Sequence, residues 1–158
     1  MTKIAFGLIL ASLQVLSGTG AQEPKPVLQL TLSPYRIETA SGHEFRLFLH
    51  VVNLSKRTVN CDHIVNIEDL DVAYIYDIRG SDGKPIPRTH PDADNSQVGA
   101  CRLIPGGEFD TEIFCLMSCF DMSKPGVYTV QVSRRDFARP NYILGTSNKV
   151  TVIVKAPE

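Results

Sequence analysis

The sequence carries almost no net charge and, after its first twenty or so residues, no long hydrophobic run. Its 16 basic and 17 acidic residues leave a formal net charge of −1, so no basic surplus attracts nucleic acid. No later segment is apolar enough to hold the protein in a membrane. No window of helical length repeats its hydrophobic residues with a period of 3.6. These absences exclude a basic nucleic-acid-binding domain and argue against a parallel α/β fold, which needs crossover helices.

The residue patterns that catalysis and metal binding require are also missing. The chain has no Gly-x-Ser-x-Gly string, and its four His are scattered, with no His-x-x-x-His or His-Glu-x-x-His pair for zinc. Residues 92–96 (Asp-Ala-Asp-Asn-Ser) place oxygen side chains at alternate positions. A calcium loop of the EF-hand type would, however, need Gly in place of Gln97 and Glu in place of Leu103. We therefore predict no catalytic residue, no cofactor and no metal site.

The N-terminus has the pattern of an export signal. Lys3 supplies a positive charge, residues 4–16 are largely apolar, and small residues precede a cleavage point after Ala21. The apolar stretch is shorter than the roughly 20 residues that a membrane span needs, although an uncleaved anchor is the alternative interpretation. We predict a signal peptide at residues 1–21, a linker at 22–26 and one domain at 27–156. The protein is expected to be secreted or periplasmic, with no membrane span after cleavage.

Four cysteines form an even set in this exported chain: Cys61, Cys101, Cys115 and Cys119. Disulfides are the expected state of cysteines in such a context, and four cysteines allow three pairings. The short spacing between Cys115 and Cys119 favours the pairing Cys61–Cys101 with Cys115–Cys119. A metal pair formed by Cys115 and Cys119 is the alternative, although no His lies near them in the sequence.

Hydrophobic and polar residues alternate through most of the chain, which is the pattern of half-buried antiparallel strands. Six segments alternate clearly and two weakly: 28–33, 45–51, 72–79, 109–115, 128–133 and 150–154, then 58–64 and 98–104. Turn sequences rich in Gly, Pro, Ser and Asp separate them. Together these features predict an all-β fold, an immunoglobulin-like sandwich of two antiparallel sheets with seven or eight strands.

The most specific string is Asp-Met-Ser-Lys-Pro-Gly-Val-Tyr at residues 121–128. In Greek-key sandwiches a Tyr near the start of strand F often hydrogen-bonds to backbone a few residues upstream. Pro125 and Gly126 would make the turn, and Tyr128 falls on the inward face of the following strand. We predict that Asp121, Pro125, Gly126 and Tyr128 form a structural corner without a catalytic role.

Four strings, mostly at turns, carry a family resemblance. They are Asn-Leu-Ser at 53–55, Tyr-Asp-Ile-Arg-Gly-Ser-Asp-Gly-Lys-Pro at 76–85, Ile-Pro-Gly-Gly-Glu at 104–108 and Pro-Gly-Val-Tyr-Thr-Val at 125–130. Over about residues 27–155 the chain resembles a group of exported bacterial immunoglobulin-like proteins. It resembles more distantly the bacterial intracellular proteinase-inhibitor domain that acts on subtilisin, which implies serine-protease inhibition. The chain departs from antibody-type domains because it has no Trp and carries Val130 where that type has Cys.

Asn53 and Ser55 also fit the acceptor pattern for N-glycosylation, which applies where the source glycosylates its exported proteins.

Two segments are the best candidates for contacting a partner. Residues 85–98 form a predicted polar, Pro-containing loop, and loops of about this length are often functional. Residues 134–142 form a predicted hairpin connection rich in Arg and aromatic residues, which are the types that dominate interfaces. The alternative is a solvated hairpin with an aromatic ring lying against the sandwich. The candidate partner-binding residues are Arg88, His90, Arg134, Arg135, Phe137, Arg139 and Tyr142.

These observations predict a non-enzymatic binding or structural module of the cell envelope or medium. Its rigid sandwich would present loops to a protein or glycan partner. A secreted protease inhibitor is the alternative function, because of the second family resemblance.

Overall fold

The structure of the protein is a computed structural model that describes residues 25–41, 43–44, 46–61, 63–65, 73–89, 97–99, 101–113, 116–136 and 138–156. The predicted signal peptide at residues 1–21 lies outside this part of the chain. So do His90, Cys115 and Phe137.

The described residues form twelve strands and a helix of one turn. In chain order they are β1 (Leu28–Pro34), β2 (Glu38–Ala40), β3 (Leu47–Asn53), β4 (Val59–Asn60), β5 (His63–Val65), β6 (Tyr74–Arg79), β7 (Gln97–Gly99), β8 (Arg102–Leu103), β9 (Glu108–Ile113), α1 (Leu116–Cys119), β10 (Gly126–Asp136), β11 (Arg139–Thr146) and β12 (Val150–Lys155). Seven of the strands have six or more residues, and the other five have two or three.

Two main sheets make the sandwich. In the first sheet β3 lies between β1 and β9, and all pairs are antiparallel. In the second sheet the long β10 pairs antiparallel with β12 along residues 126–130, with β6 along 129–134 and with β11 along 133–136. Of the seven long strands, the first, second and fourth along the chain form the first sheet, and the third, fifth, sixth and seventh lie in the second, a division typical of immunoglobulin-type sandwiches. The predicted all-β sandwich is confirmed.

One pairing differs from the predicted purely antiparallel arrangement. β2 runs parallel to β12 at the edge of the second sheet, with Glu38 opposite Ile153. The cause lies upstream, because Leu30 of β1 already bridges Ser147 in parallel. The chain keeps its direction as it leaves β1 at Pro34 and crosses to the other sheet, so β2 arrives parallel.

The core lies between the sheets and follows the alternation in the sequence. On β1, β3, β10 and β12 every second side chain is almost fully buried: Leu28, Leu30, Leu32, Leu47, Leu49, Val51, Tyr128, Val130, Val132, Val150, Val152 and Val154. Burying one such apolar side chain stabilises the fold by roughly 2 kcal/mol. This repeated burial is what fixes the register of each strand.

Two small ladders form sheets of their own beside the two main sheets, and a disulfide holds one of them. β4 pairs with β8, and β5 pairs with β7. Cys61 directly follows β4, and Cys101 directly precedes β8. The two cysteines are bonded, with Cα atoms 4.8 Å apart, and the Cys61 N–H donates to the Cys101 carbonyl at 3.0 Å. The predicted Cys61–Cys101 disulfide is therefore confirmed. Cys119 is buried in α1, and the predicted Cys115–Cys119 bridge involves Cys115, which the structure does not describe.

Tyr128 closes a corner at the start of β10. Its hydroxyl donates to the Lys124 carbonyl at 2.7 Å, and its ring is 5% exposed. Burial of the ring, followed by the nearby charge of Asp121, raises the pKa of the Tyr128 hydroxyl. In the same turn the Ser123 hydroxyl donates to the Asp121 carboxylate at 2.7 Å and lowers the pKa of Asp121. The corner thus fixes the chain entering the longest strand.

Removing the hydroxyl with Tyr128→Phe should lower the free energy of unfolding by about 1 kcal/mol at neutral pH. This loss should shrink at alkaline pH. Because the folded pKa is raised, the hydroxyl's contribution is complete below the unfolded pKa of about 10 and declines as pH rises towards the folded pKa. Urea unfolding of both proteins at about pH 7 and about pH 11 measures the difference. A gap that is zero, or that does not change with pH, would contradict this account.

Candidate functional site

The sequence predicted a hairpin connection over residues 134–142. In the structure most of these residues are instead paired in strands. β10 continues to Asp136 and β11 begins at Arg139, so only residues 137 and 138 connect them. Asp136 pairs with Arg139, and the ladder shifts register on both sides of Arg135. The polar sequence obscured these strands, because backbone pairing at the end of a sheet does not require apolar side chains.

Arg134, one of the candidate partner-binding residues, is buried. It continues the inward-facing positions of β10 and is 1% exposed. Its guanidinium carbon lies 4.7 Å from the centroid of the Tyr74 ring, on the facing residue of β6. A side chain enclosed in this way cannot reach a partner, so the expectation that Arg134 is a surface contact is wrong.

Two other candidates, Arg88 and Arg135, meet at one cavity. It has a volume of about 300 Å³, and its aromatic walls are Tyr74, Tyr76 and Phe120. Ile75 and Ile86 complete the lining. We call it the arginine–aromatic cavity. It joins the two segments that the sequence had singled out separately.

Backbone contacts hold the Arg88 side of this cavity in place. Arg88 forms an antiparallel bridge with Phe120, next to α1. On either side of it, the Ile86 N–H donates to the Ile78 carbonyl and the Thr89 N–H to the Cys119 carbonyl, both at 2.8 Å. Residues 85–89 of the predicted 85–98 loop are therefore anchored to β6 and to α1, whereas residues 97 and 98 belong to β7, which pairs with β5.

Arg135 supplies a guanidinium group to the lining of the same cavity. Its backbone N–H donates to the Ala73 carbonyl at 2.9 Å, which fixes the chain at the register shift. Its Nε is buried and makes no hydrogen bond to the described residues. The neighbouring Tyr76 and Phe120 rings are 6.4 Å apart. The cavity therefore combines aromatic walls with a guanidinium group able to donate to an oxygen.

Arg139 and Tyr142 form a separate surface pair at the start of β11. The Arg139 guanidinium lies 4.4 Å from the Tyr142 ring centroid, and its Nη2 is 2.8 Å from the Asp136 carboxylate. Arg139 is exposed and Tyr142 is half-buried. This arrangement agrees with the alternative that the hairpin packs one of its own aromatic rings.

A larger groove that the sequence analysis missed lies where the chain passes from β1 to β3. Its volume is about 660 Å³, and it is lined by Tyr35, Arg36, Glu38, Thr39, Ala40, His43, Glu44, Arg46, Phe48 and Lys155. We call it the flank groove. One sequence signal could have indicated it: Phe48 takes an outward position between Leu47 and Leu49, which are both fully buried.

On the outer face of the first sheet, His50 lies between two exposed carboxylates. His50 Nδ1 lies 2.9 Å from an Asp110 oxygen, and His50 Nε2 lies 3.6 Å from a Glu108 oxygen. Within the described residues, no three His, Cys, Asp or Glu side chains converge as a metal site. The same residues include no helix with the length and apolar character needed to cross a membrane.

No protein-family model matches the sequence, and no curated protein matches it closely enough to count as a relative.

Several solved structures are similar to the chain. An alkylpurine DNA glycosylase of Pseudomonas fluorescens bound to abasic-site DNA has 15% identity and a TM-score of 0.48, over 84% of this chain and 32% of that one. A CARDB domain from Pyrococcus furiosus in complex with di-metal ions has 13% identity and a TM-score of 0.44, over 84% and 89%. A β-glucosidase of Erythrobacter marinus has 10% identity and a TM-score of 0.46, over 82% and 15%. The chain thus spans about a third of the glycosylase and 15% of the β-glucosidase. Likenesses at these values carry no argument about what the chain binds.

Proposed function

We propose that the protein is an exported, non-enzymatic binding module that engages a protein partner at the arginine–aromatic cavity. The observation that carries this proposal is the convergence of Arg88 and Arg135, which are far apart in the sequence, on one cavity with aromatic walls. The Cys61–Cys101 disulfide supports export, because such bonds persist in oxidising compartments.

The cavity has the composition of an interface centre. Arg and aromatic side chains are enriched among the residues that contribute most to protein–protein binding. Its volume of about 300 Å³ suits a single side chain or chain end of a partner, and lies at the lower limit of ligand pockets. A partner group with an apolar body and a carboxylate or carbonyl oxygen would pack on Tyr76 and accept from the Arg135 guanidinium.

Truncating the cavity arginines should weaken this interaction strongly. Arg88→Ala and Arg135→Ala are each expected to cost about 2 kcal/mol of binding free energy, which is roughly a 30-fold rise in Kd. The immobilised protein would first capture its partner from the extracellular and envelope fraction of its source, and calorimetry with the identified partner would then give the Kd. Arg79→Ala is the matched control, since Arg79 is exposed on β6, outside the cavity lining, and pairs with Asp77 at 3.1 Å.

Two results would overturn the proposal. The first is a partner that binds the wild type and both folded cavity variants with equal affinity. The second is dose-dependent inhibition of subtilisin by the wild type that persists in both variants. That second result would establish the alternative function, a protease inhibitor that uses another surface.

A further inference from the structure

The flank groove carries an exposed pair of aromatic rings. Tyr35 is 64% exposed and Phe48 is 40% exposed, although both are large apolar side chains. Their ring centroids are 6.1 Å apart and their planes meet at 66°. The two rings form an open apolar corner on the protein surface, and adjacent exposed apolar groups of this kind mark interaction sites.

Backbone pairing holds this corner in position. Phe48 lies on β3, the central strand of the first sheet, and faces Ser33 of β1 and Glu112 of β9 in the ladders. The Tyr35 N–H donates to the Arg46 carbonyl at 2.9 Å, which ties the segment after β1 to the residue before β3. The rings are thus presented from a preorganised backbone, which lowers the entropic cost of binding a ligand.

The charged side chains around the corner are balanced and already have partners. Lys155 pairs with Glu38, and Arg46 lies 3.3 Å from a Glu112 oxygen. Arg36 lies over the Tyr35 ring at 5.7 Å. Because neither sign dominates, the groove has no field that would select a charged ligand. These pairs are exposed and individually weak, so their polar groups can also bond to a bound molecule.

The groove presents both donors and acceptors, and this mixture decides the class of ligand. Arg36, Arg46 and Lys155 only donate hydrogen bonds, whereas the Glu38 and Glu44 carboxylates only accept them. A hydroxyl group satisfies both kinds because it donates and accepts. A Pro-rich peptide also docks on aromatic grooves, but its backbone offers almost only acceptors, so it would bond to the arginines and the lysine and make no hydrogen bond to the carboxylates.

We propose that the flank groove binds a neutral oligosaccharide. The C–H face of a sugar ring would pack on Tyr35 and Phe48, while its hydroxyls bond to the guanidinium and carboxylate groups of the rim. The volume of about 660 Å³ exceeds that of one hexose, which favours a chain of sugars. This site is independent of the protein-binding cavity, so either proposal can fail without the other.

The probes for this proposal are cellohexaose, laminarihexaose, maltohexaose, the hexamer of N-acetylglucosamine, and decaproline. Each would be titrated to millimolar concentration into the ¹⁵N-labelled protein. We expect at least one saccharide to shift the amide signals of residues 35–48 and of Lys155. Tyr35→Ala and Phe48→Ala should each weaken that binding at least tenfold by calorimetry. Ile104→Ala is the matched control, because Ile104 is also 64% exposed but does not line the groove, and it should leave the affinity unchanged.

Three results would overturn the proposal. They are the failure of every saccharide to shift the groove signals, a shift produced by decaproline alone, and saccharide binding that both aromatic variants retain. The titration of the unaltered protein does not depend on any variant. If Tyr35→Ala fails to fold, Tyr35→Leu keeps an apolar side chain without the ring and should lose affinity to the same extent.

Discussion

Replacing Gly145 with alanine is expected to destabilise the protein by about 3 kcal/mol or more. Gly145 lies in β11, where the second sheet approaches the first residue of β1. A Cβ atom at this position would be 2.2 Å from the Leu28 carbonyl oxygen and 3.0 Å from its carbon. These are backbone atoms of a strand residue that is 1% exposed, so they cannot swing aside as a flexible side chain would.

The clash would force β1 and β11 apart. The Val27 N–H donates to the Leu144 carbonyl at 2.8 Å beside this contact, and that bond would lengthen as the strands separate. Leu28 and Leu144, both buried at the junction, would lose packing. Glycine in a strand commonly marks such a close approach of two backbones.

Urea unfolding of Gly145→Ala beside Gly126→Ala measures this effect. Gly126 also lies in a strand of the second sheet, but a Cβ there would meet nothing closer than the Tyr128 ring at 3.8 Å. The control should therefore stay within about 1 kcal/mol of the wild type. Equal stability of the two variants would show that the strands separate at little cost.

The strand pattern could be predicted from the sequence because one face of each long strand is buried. Leu28, Leu30 and Leu32 alternate with polar residues in β1, and the structure buries all three. The short β2 could not be predicted, since its three residues are exposed or half-buried and show no alternation. Its parallel pairing depends on how the chain crosses between sheets, which no local pattern encodes.

The side-chain environments at the candidate site could not be predicted without knowing the strand register. Arg134 continues the alternation of the buried residues Val130 and Val132 in β10, but its charge favoured the prediction that it is exposed. Only the pairing of β10 with β6 places the Tyr74 ring opposite its guanidinium group. The same holds for Arg88 and Arg135, whose residue types were recognised as binding groups. Their convergence depends on the bridge between Arg88 and Phe120, a contact between segments distant in the sequence.

The flank groove was still harder to predict from the sequence, because its lining comes from both sheets. Tyr35 directly follows β1 and Phe48 lies in β3, both strands of the first sheet, whereas Lys155 ends β12 in the second sheet. A reading that proceeds segment by segment treats each as an ordinary surface residue. The groove forms only because β2 joins the second sheet beside β12 and carries the intervening chain across the flank.

Asn53 has a structural role that its sequence motif did not indicate. It ends β3 and is 1% exposed. Its amide nitrogen donates to the carbonyls of Arg57, Leu103 and Ile104 at 2.8, 2.9 and 3.1 Å. Its amide oxygen accepts from the N–H and the hydroxyl of Ser55 at 2.9 and 2.8 Å. Because this side chain is enclosed and fully bonded, it is not an accessible glycan acceptor in the folded protein, and the N-glycosylation interpretation is wrong for that state.

The change Asn53→Asp keeps the shape of this side chain but reverses the polarity of one end. A carboxylate oxygen would then face the three carbonyl oxygens that now accept from the amide, leaving a buried charge without donors there. Unsatisfied buried groups each cost about 1 to 3 kcal/mol, and charged groups cost more. We expect the free energy of unfolding to fall by about 4 kcal/mol or more at neutral pH.

This defect should be relieved by acid, and the direction follows from linkage. Burial against carbonyl oxygens would raise the folded pKa of the new carboxyl above its unfolded value of about 4. The protonated group can donate one hydrogen bond, so the variant regains stability relative to the wild type as pH falls through the folded pKa towards 4. Urea unfolding at about pH 7 and about pH 4 would follow this gap, with Asn60→Asp as the control, because Asn60 is exposed at the end of β4. A gap that is absent at neutral pH, or that stays constant with pH, would mean that the loop carbonyls turn away and that Asn53 does not hold these segments together.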